Sequence, residues 1–553
     1  MRVKFYGLSL IVFFIAIRAI SQSPSISDYK HTFDYRRAIP GMPENASLGS
    51  YGNLTVSTAT GIPDVSFNLY TLVKDGLSIP ISISYDASGI KYNDIPSTVG
   101  MKWQLNAGGS INRIVNGMRD EDYLMHFPDV TSDANMAYRN QHIHSYDVQD
   151  FGNKVSNNQV DITPDYFYYN FLGRGGSMYW DKNQEFIADK DYTKIKIKSN
   201  NFIYNGYTFF LDNFVIKDED GNTYYFKDYK DESTVFNSGI NSLNGFGSTV
   251  AWKLERIITA HKQIIRFEYT PYSYSYSTLN GEKFVPQREP AGAYIHGIGN
   301  SGCYFIEKTM SFQTSQISNS AQLLTKISTD DQDIIFRYQD NNDQSIWKRN
   351  LKAIRVFSKS SGDTIKAINF LNDLNYLTGF EEIDRLNNTV KKYDFKYESG
   401  RSTLTTITKN RDYFGYANGS MNLNSLISNS DALNWKYPFT LANRSVNMNA
   451  NIGTLSEIIY PTGGTTNFTY ENNSESVNGE FFYAPGLRVK TIEDFDQLGS
   501  SLNRKEFSYS NLIGGTRVVD LINFENVPTD ISIPAIYNSE KFFHMEIVQL
   551  MKM

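Results

Sequence analysis

Apolar and polar residues alternate along much of this chain, and the stretch LSIPISISY at Leu77–Tyr85 shows the pattern most clearly. Successive side chains of a β-strand point to opposite faces, so this stretch predicts a strand with an apolar face and a serine-rich face. Pro80 has no backbone N–H to donate, which predicts an edge strand or a β-bulge. A second strand is predicted from Trp103, and it runs into a turn at Asn106–Gly109. We expect residues 61–117 to form a compact β module.

A loose internal repeat begins after Ala251. Each unit starts with an apolar-x-x-Ile stretch, continues through a polar or glycine-containing turn, and ends with an aromatic strand near Phe-x-Tyr. The six predicted hairpins pair residues 252–257 with 264–269, 323–327 with 334–338, 351–356 with 364–370, 377–383 with 392–397, 455–460 with 466–470, and 487–492 with 505–509. A lone hairpin is only marginally stable in water, so the hairpins must cover one another's edges. The repeat therefore predicts a curled or spiralling sheet.

The composition favours the same fold class. Aromatic residues make up 14% of the 553 residues, and charged residues make up only 20%. Aromatic and β-branched side chains suit a half-buried pleated surface, so we predict an all-β chain: an antiparallel, sandwich-like N-terminal module followed by stacked β-hairpins. The formal net charge is −6 and no basic run stands out, which excludes the electrostatic footprint of a nucleic-acid-binding protein.

The first residues have the organisation of a signal peptide. Arg2 and Lys4 precede an apolar run at residues 8–17, and Ala19–Ser21 offers the small-x-small pattern of signal peptidase. The run is too short to span a bilayer comfortably, and no cysteine follows it for a lipid anchor. We therefore expect a chain that is exported through the inner membrane and is not an integral membrane protein. Its final location, periplasmic, cell-surface or extracellular, stays open.

Changes in composition divide the rest of the chain. We predict a signal peptide at 1–21, a polar leader or linker at 22–50, the N-terminal β module at 51–240, the hairpin repeat region at 250–515, and a C-terminal tail at 516–553. The single cysteine, Cys303, has no partner for an internal disulfide, so the fold must depend on its apolar core. We interpret Cys303 as a small buried apolar residue, with a reactive thiol as the alternative.

Two stretches carry residue types that bind metals. His142 and His144 would project to one side of a strand near Asp147, but two histidines in a polar, irregular segment favour a solvated loop. The stretch from Asp218 resembles part of a calcium loop. An EF-hand loop needs glycine at its sixth position and glutamate at its twelfth, where this chain has Thr223 and Tyr229. A hairpin turn is therefore the better interpretation.

No catalytic constellation emerges from the sequence. Glu381, Glu382 and Asp384 are acidic neighbours, but on a strand they alternate between faces and no partner is identifiable. The chain has no G-x-S-x-G elbow, and the Asn106–Gly109 turn lacks the Lys-Ser/Thr of a phosphate-binding loop. We predict no catalytic, cofactor-binding or metal-binding residues. The rows of tyrosine and phenylalanine are interpreted as core, with stacking on sugars as the alternative.

The stretch at residues 60–117 resembles the N-terminal segment of the large secreted RHS/YD-repeat-associated proteins of Gram-negative bacteria. Their pattern is close to TGxPxxxxPLY … LSLPISLSYxASGI+xxxxxxxVGxGWxLNAGGxIxRxVxG. The matching residues here are Thr60–Pro63, Leu69, Tyr70, Leu77–Tyr85, Ala87–Ile90, Val99, Gly100, Trp103, Leu105–Gly109, Ile111, Arg113 and Gly117. Lys102 departs from the pattern, because the family has glycine there. If that position needs a positive φ, we expect Lys102 to strain the turn.

Further landmarks of this family follow in the same order along the chain. They resemble the family's PDxFxFNFxGxxGxFxxD, FxIxxxDGxxYxF, DxxGYxNG, YPTGG and GLRV/I stretches, here at Pro164–Asp181, Phe214–Phe226, Asp412–Gly419, Tyr460–Gly464 and Gly486–Val489. The opening signature is more distantly similar to the start of the B component of ABC-type toxin complexes, where it opens a hollow β shell.

The resemblance implies a non-enzymatic structural role. It implies the N-terminal part of a shell that encapsulates or presents a C-terminal effector or toxin, here without YD repeats, self-cleavage core or effector. We expect this chain to be truncated, split or shortened relative to that family, with a downstream RHS/YD-repeat half or an effector chain as its partner. The alternatives are a cell-surface module that binds glycan or a neighbouring cell, and a hydrolase of unrecognised type.

Overall fold

The computed structural model describes residues 54–115, 165–180, 186–189, 195–204, 209–237, 248–285, 309–340, 349–373, 375–400, 408–420, 422, 426, 442–446, 451–477 and 480–509. All regular structure within these ranges is β, so the predicted fold class is confirmed. In the same ranges, no helix is long and apolar enough to cross a bilayer. The predicted signal peptide, leader and tail lie outside the described residues, and the predicted domain boundaries stay predictions.

Twenty-two strands form two antiparallel sheets within the described ranges. They are β1 (Val65–Lys74), β2 (Leu77–Tyr85), β3 (Trp103–Asn106), β4 (Gly109–Ile114), β5 (Tyr166–Phe171), β6 (Arg174–Trp180), β7 (Phe186–Ala188), β8 (Ile195–Tyr204), β9 (Phe209–Asp218), β10 (Thr223–Asn237), β11 (Ser248–Ile258), β12 (Ile264–Val285), β13 (Thr309–Ser328), β14 (Gln332–Asp340), β15 (Arg349–Ser358), β16 (Thr364–Asp373), β17 (Tyr376–Ile383), β18 (Thr389–Tyr397), β19 (Leu455–Ile459), β20 (Thr465–Val477), β21 (Glu480–Phe495) and β22 (Ser501–Glu506).

The small sheet has three strands in the order β1-β2-β3. Its middle strand buries Ile79, Ile81 and Ile83 completely and turns its serines the other way, as the alternation predicts. β3 pairs only with the second half of β2, from Ser82 to Tyr85, so Pro80 faces a free edge on that side. β2 is therefore the middle strand of its sheet and not the edge strand predicted from Pro80, and the bulge of this pair lies on β1, between Asn68 and Tyr70.

The long sheet contains β4 to β22, which follow one another in chain order. All six hairpins predicted from the repeat are present as antiparallel pairs, and the earlier hairpins β5–β6 and β9–β10 are present too. β4 pairs with β5 along one edge and with β11 along the other. Because both edges of β4 are filled, β22 has no edge of β4 to join, and the long sheet remains a curled, open sheet.

Five hairpin turns of the long sheet share one backbone geometry. In each, the N–H of the first residue donates to the carbonyl of the fifth, and the N–H of the fourth donates to the carbonyl of the first. The fourth residue has a positive φ, which glycine adopts without strain. The turns are Asp218–Asn222, Thr259–Gln263, Asp384–Asn388, Tyr460–Gly464 and Asp496–Ser500. This backbone requirement explains the glycine or asparagine at the fourth position of four of the five turns, whereas the turn at Thr259 has Lys262 there with a φ of 70°.

The Phe-x-Tyr signature also has a structural cause. In five hairpins the tyrosine hydroxyl donates a hydrogen bond to a backbone carbonyl on the preceding strand, and we call these contacts the tyrosine clamps. The pairs are Tyr269 with Leu254, Tyr338 with Leu324, Tyr397 with Leu377, Tyr470 with Leu455, and Tyr509 with Val489. Leu254, Leu324 and Leu455 each open a Leu-x-x-Ile stretch, so the two ends of the repeat unit bind each other.

A β-bulge accompanies four of the clamps. The strand register shifts immediately before Tyr269, Tyr338, Tyr397 and Tyr470. In each case the bulge lies on the strand after the tyrosine's own strand, whereas the clamped carbonyl lies on the strand before it. The extra residues are Thr325, Lys352, Ser456 and Lys490. Burial raises the pKa of Tyr269, Tyr338 and Tyr470, so these hydroxyls remain protonated hydrogen-bond donors at neutral pH.

Candidate functional site

The small sheet packs against the long sheet through an aromatic cluster around Trp103. The Trp103 ring lies 4.7 Å from the Phe395 ring and 5.2 Å from the Tyr85 ring, centroid to centroid. Trp103 Nε1 donates to the Tyr397 hydroxyl at 2.8 Å, and that hydroxyl donates in turn to the Leu377 carbonyl. Phe67 adds edge contacts to Phe380 on the long sheet. The Tyr397 hydroxyl thus bonds to both sheets. Phe67, Tyr85, Trp103, Phe380, Phe395 and Tyr397 are called the sheet contact below.

The turn between β1 and β2 is tied to two turns of the long sheet. Lys74 forms ion pairs with Asp330 and, at 2.6 Å, with Asp331. Asp75 lies 2.7 Å from His261 Nδ1 and accepts a hydrogen bond from the Thr259 hydroxyl. The Thr259 bond and the nearby His261 lower the pKa of Asp75, and the Lys74 bond lowers that of Asp330. Stability from these carboxylates is therefore present above their ordinary pKa and is lost only as the pH falls below it.

Lys102 has the strained backbone that the sequence comparison predicts, with a φ of 62°. Its ammonium lies 2.7 Å from Asp86 and 3.2 Å from Asp94. Burial alone would lower the pKa of Lys102, but the two carboxylates raise it above its ordinary value. The ion pairs therefore hold a lysine at a position where the backbone favours glycine.

Two substitutions separate the strain at Lys102 from its ion pairs. Lys102→Ala and Lys102→Gly both remove the ammonium, but only glycine relieves the left-handed backbone. We expect Lys102→Gly to be more stable than Lys102→Ala by about 1 kcal/mol in urea unfolding. Equal stability of the two variants would contradict the strain.

The acidic residues singled out in the sequence do not converge. The turn at Asp218 is a hairpin turn, as predicted: the carboxylate accepts hydrogen bonds from the Asn222 side chain and backbone and from the Tyr224 hydroxyl. The Glu381 carboxylate accepts hydrogen bonds from the Asn369 side chain at 3.1 Å and from the Thr389 hydroxyl at 2.8 Å. The neighbours Glu382 and Asp384 go to different partners, which are Lys366 and the turn at Asn388. This region therefore has no pair of carboxylates facing a common substrate position.

The remaining candidates carry no site in the described ranges. The Asn106–Gly109 turn is a packing turn, because a Cβ at Gly109 would lie 2.4 Å from the Phe171 Cβ. His142, His144, Asp147 and Cys303 lie outside the described residues. Where side chains are described, no group of three or more metal-binding residues of the His, Cys, Asp or Glu type is present.

A buried polar loop is the feature that sequence reasoning did not interpret chemically. The polar loop, residues 408–420, contains the DxxGYxNG landmark, and Asp412 Oδ1 accepts the N–H groups of Phe414 and Tyr416 at 2.8 and 2.9 Å. Asn418 is completely buried and donates to the carbonyl of Asn443 at 2.8 Å. The loop also pairs with the segment after the small sheet's middle strand, since Ala417 N–H donates to the Ile90 carbonyl. The landmark residues build a turn that joins three parts of the chain.

Burial raises the pKa of Asp412 to about 6. A carboxyl whose folded pKa lies above its unfolded value stabilises the fold in its protonated form, and that contribution declines as the pH rises from about 4 to about 6. Asp412→Asn keeps the side-chain oxygen that accepts the two N–H groups but cannot ionise. We expect Asp412→Asn to gain stability relative to the natural chain between pH 4 and pH 7 in urea unfolding. A difference between the two chains that does not change with pH would contradict the shift.

An exposed aromatic group lies on the outer face of β4, β5 and β6. Ile114, Tyr166, Tyr168 and Tyr179 are 41–56% exposed. Ile114 is opposite Tyr166, and Tyr168 is opposite Ser177 on the next strand. We call these four residues the tyrosine patch. The rows at Phe167, Tyr169 and Phe171 on the other face are buried, so the prediction of a core role holds for them and not for the patch.

No protein family and no curated protein matches the chain. Among solved structures, it is similar to TcdB2-TccC3 at 9% identity and a TM-score of 0.33, over 84% of this chain and 21% of that chain. It is similar to the Photorhabdus luminescens Tc holotoxin pore at 9% identity and a TM-score of 0.34, over 82% and 21%. It is also similar to the N-terminal domain of the effector protein SpvB from Salmonella typhimurium strain LT2, at 10% identity and a TM-score of 0.26, over 58% and 98%.

The chain thus spans about a fifth of the length of the Tc toxin chains it matches. At these identities and TM-scores, the likeness to toxin-complex components is distant and identifies neither a family nor an activity.

Proposed function

We propose that this chain is a non-enzymatic structural protein that forms part of a β wall, which encloses or presents an effector. The observation that carries the proposal is the continuous antiparallel pairing of successive hairpins in the long sheet. Five tyrosine clamps stiffen this sheet, because each clamp ties the two strands of one hairpin. The sheet contact adds a second layer on the buried side of that wall. These features serve rigidity, whereas a catalytic site needs acids and bases that face a common space.

The outer edge of β22 is where this wall would grow. β22 pairs with β21 on one side, and within the described ranges no strand occupies its other side. An unpaired edge exposes backbone donors and acceptors that a further strand satisfies. The partner in this proposal is a chain with further β-hairpins, such as a downstream RHS/YD-repeat half, or an effector attached to one.

Capture of the tagged chain from its native cell tests the partner. We expect a hairpin-rich or effector chain to be recovered, and recovery to fall with Leu502→Lys, which puts a charge on the edge strand. Leu498→Lys is the matched control, because Leu498 is an exposed leucine in the adjacent turn and off the edge. Recovery of no such chain, or equal loss with both variants, would contradict the wall.

The absence of enzymatic activity and the export of the chain belong to the same proposal. A broad hydrolase screen of the purified protein is expected to show no turnover, and specific turnover of any substrate would favour the hydrolase alternative.

Cell fractionation is expected to find the chain in the periplasm, at the cell surface or in the medium. Retention in the cytoplasm would exclude export.

The tyrosine patch favours a second candidate function, the binding of glycan at a cell surface. Exposed aromatic rings are large amphipathic contact surfaces, and the patch is flanked by polar Asn112 and Ser177 on neighbouring strands. On a glycan array, a specific signal that is lost with Tyr166→Ser and Tyr168→Ser would support this function. Tyr483→Ser is the control, since Tyr483 is an exposed tyrosine on β21. No signal from the natural chain would remove the candidate.

A further inference from the structure

Arg411 in the polar loop is a buried cation whose hydrogen bonding is incomplete. Only 6% of the residue is exposed. Its Nη2 donates to the Leu279 carbonyl at 2.6 Å, whereas its buried Nε has no acceptor. Burying a charged group is costly unless it is paired and hydrogen-bonded, so this guanidinium calls for a negative partner at Nε.

A second buried guanidinium belongs to Arg444. Its Nη2 donates to the Asp412 carbonyl at 3.1 Å, and its guanidinium stacks over the Tyr413 ring at 4.7 Å. Burial and the charge of Arg444 together lower the pKa of Arg411 to about 10. Positive charge is therefore concentrated in a region with little water to screen it.

The carboxylate next to Arg411 in the chain does not balance this charge. Asp412 Oδ1 is used by the N–H groups of its own turn. Burial raises its pKa to about 6, even though the nearby Arg444 opposes that rise, so Asp412 is a weak counter-ion. An additional anion would satisfy the Nε donor and offset the repulsion between the two arginines.

We propose that the polar loop binds a tetrahedral oxyanion of the phosphate or sulfate class at Arg411, with Arg444 contributing the second positive charge. The guanidinium is planar and presents N–H groups in a fixed fork that matches phosphate and sulfate oxygens. The loop that would hold the anion is hydrogen-bonded to β12 at Leu279 and to the segment after β2 at Ile90. The site is independent of the proposed wall and of its partner.

Thermal unfolding of the full chain in phosphate or sulfate tests the site. The anion is added from 0 to about 20 mM at fixed ionic strength, because a ligand that binds the native state raises the melting temperature by mass action. We expect a saturable rise for the natural chain and at least about a tenfold weaker response for Arg411→Met, which loses a charge-assisted hydrogen bond. Arg355→Met is the matched control and is expected to respond like the natural chain, since Arg355 lies on β15 and bonds to Asn369.

The outcomes that overturn the site are distinct. A response that is linear and equal in all three proteins is general salt stabilisation and overturns the site, as does a saturable response to acetate alone. If Arg411→Met does not fold, ³¹P line broadening of inorganic phosphate by the natural chain decides the question. Broadening that sulfate reverses supports the site, and the absence of broadening contradicts it.

Discussion

Trp103→Ala is expected to destabilise the chain by about 3–5 kcal/mol in urea unfolding, the range for deleting a fully packed tryptophan. Trp103 is 2% exposed and contacts both Tyr85 and Phe395. Its removal leaves a cavity in the sheet contact and deprives the Tyr397 hydroxyl of a donor. The small sheet has three strands and depends on this contact for its burial, so its loss is expected to expose β2 to hydrogen exchange as well.

A conservative variant separates packing from hydrogen bonding. Trp103→Phe keeps an aromatic ring but loses Nε1, and we expect it to cost about a third of the alanine effect. A Trp103→Ala chain that unfolds within about 0.5 kcal/mol of the natural chain would be inconsistent with a packed contact, because that is the range of surface substitutions.

The second large effect is expected from the tyrosine clamps taken together. Tyr269→Phe, Tyr338→Phe and Tyr470→Phe each remove one hydroxyl and leave a carbonyl without its donor, at about 1–2 kcal/mol per site. The clamps lie in different hairpins, so their effects should add to about 3–6 kcal/mol in the triple variant. Urea unfolding of the single and triple variants measures both the size and the additivity.

Tyr483→Phe is the control for the clamps, because the side chain of Tyr483 is 56% exposed. We expect it to change stability by less than about 0.5 kcal/mol. Clamp variants that behave like this control would mean that the Phe-x-Tyr signature has no role in joining the strands.

The strands were predictable because their cause is local. The period-two alternation of Leu77–Tyr85 and the turn residues between the repeat strands specify hairpins without reference to the rest of the chain. Pro80 predicted an edge strand and this was wrong, because the missing donor affects only one residue and β3 pairs with the part of β2 that follows it. The strain at Lys102 was also predictable, but only from the resemblance to proteins with glycine there.

The contacts between distant parts of the chain could not be predicted from the sequence. The role of the Tyr397 hydroxyl depends on Trp103, which is 294 residues away. The carbonyl at Leu279 binds Arg411 across 132 residues. Such pairs are set by how the long sheet curls, and curvature is not encoded in any single strand. A polar loop that buries an arginine and a polar loop that lies in solvent can have the same residue composition. The burial of Arg411 could therefore not be predicted from the sequence.

The bulges illustrate the same limit on a smaller scale. The repeat predicted strands that end near Phe-x-Tyr, yet the register shift before each tyrosine is visible only in the paired sheet. The sequence did contain a signal for the clamps. The tyrosine recurs at a position where phenylalanine would fill an apolar core equally well, which indicates a role for the hydroxyl. Phe370 occupies the corresponding place in one hairpin and has no hydroxyl to offer.

A double-mutant cycle of Trp103→Phe and Tyr397→Phe tests the packing of the two sheets most directly. The Tyr397 hydroxyl receives the Trp103 N–H and donates to the long sheet, so we predict a coupling free energy of about 1 kcal/mol between the two substitutions. Effects that add to within about 0.3 kcal/mol would show that the two side chains do not interact, and the small sheet would then not pack on the long sheet as described.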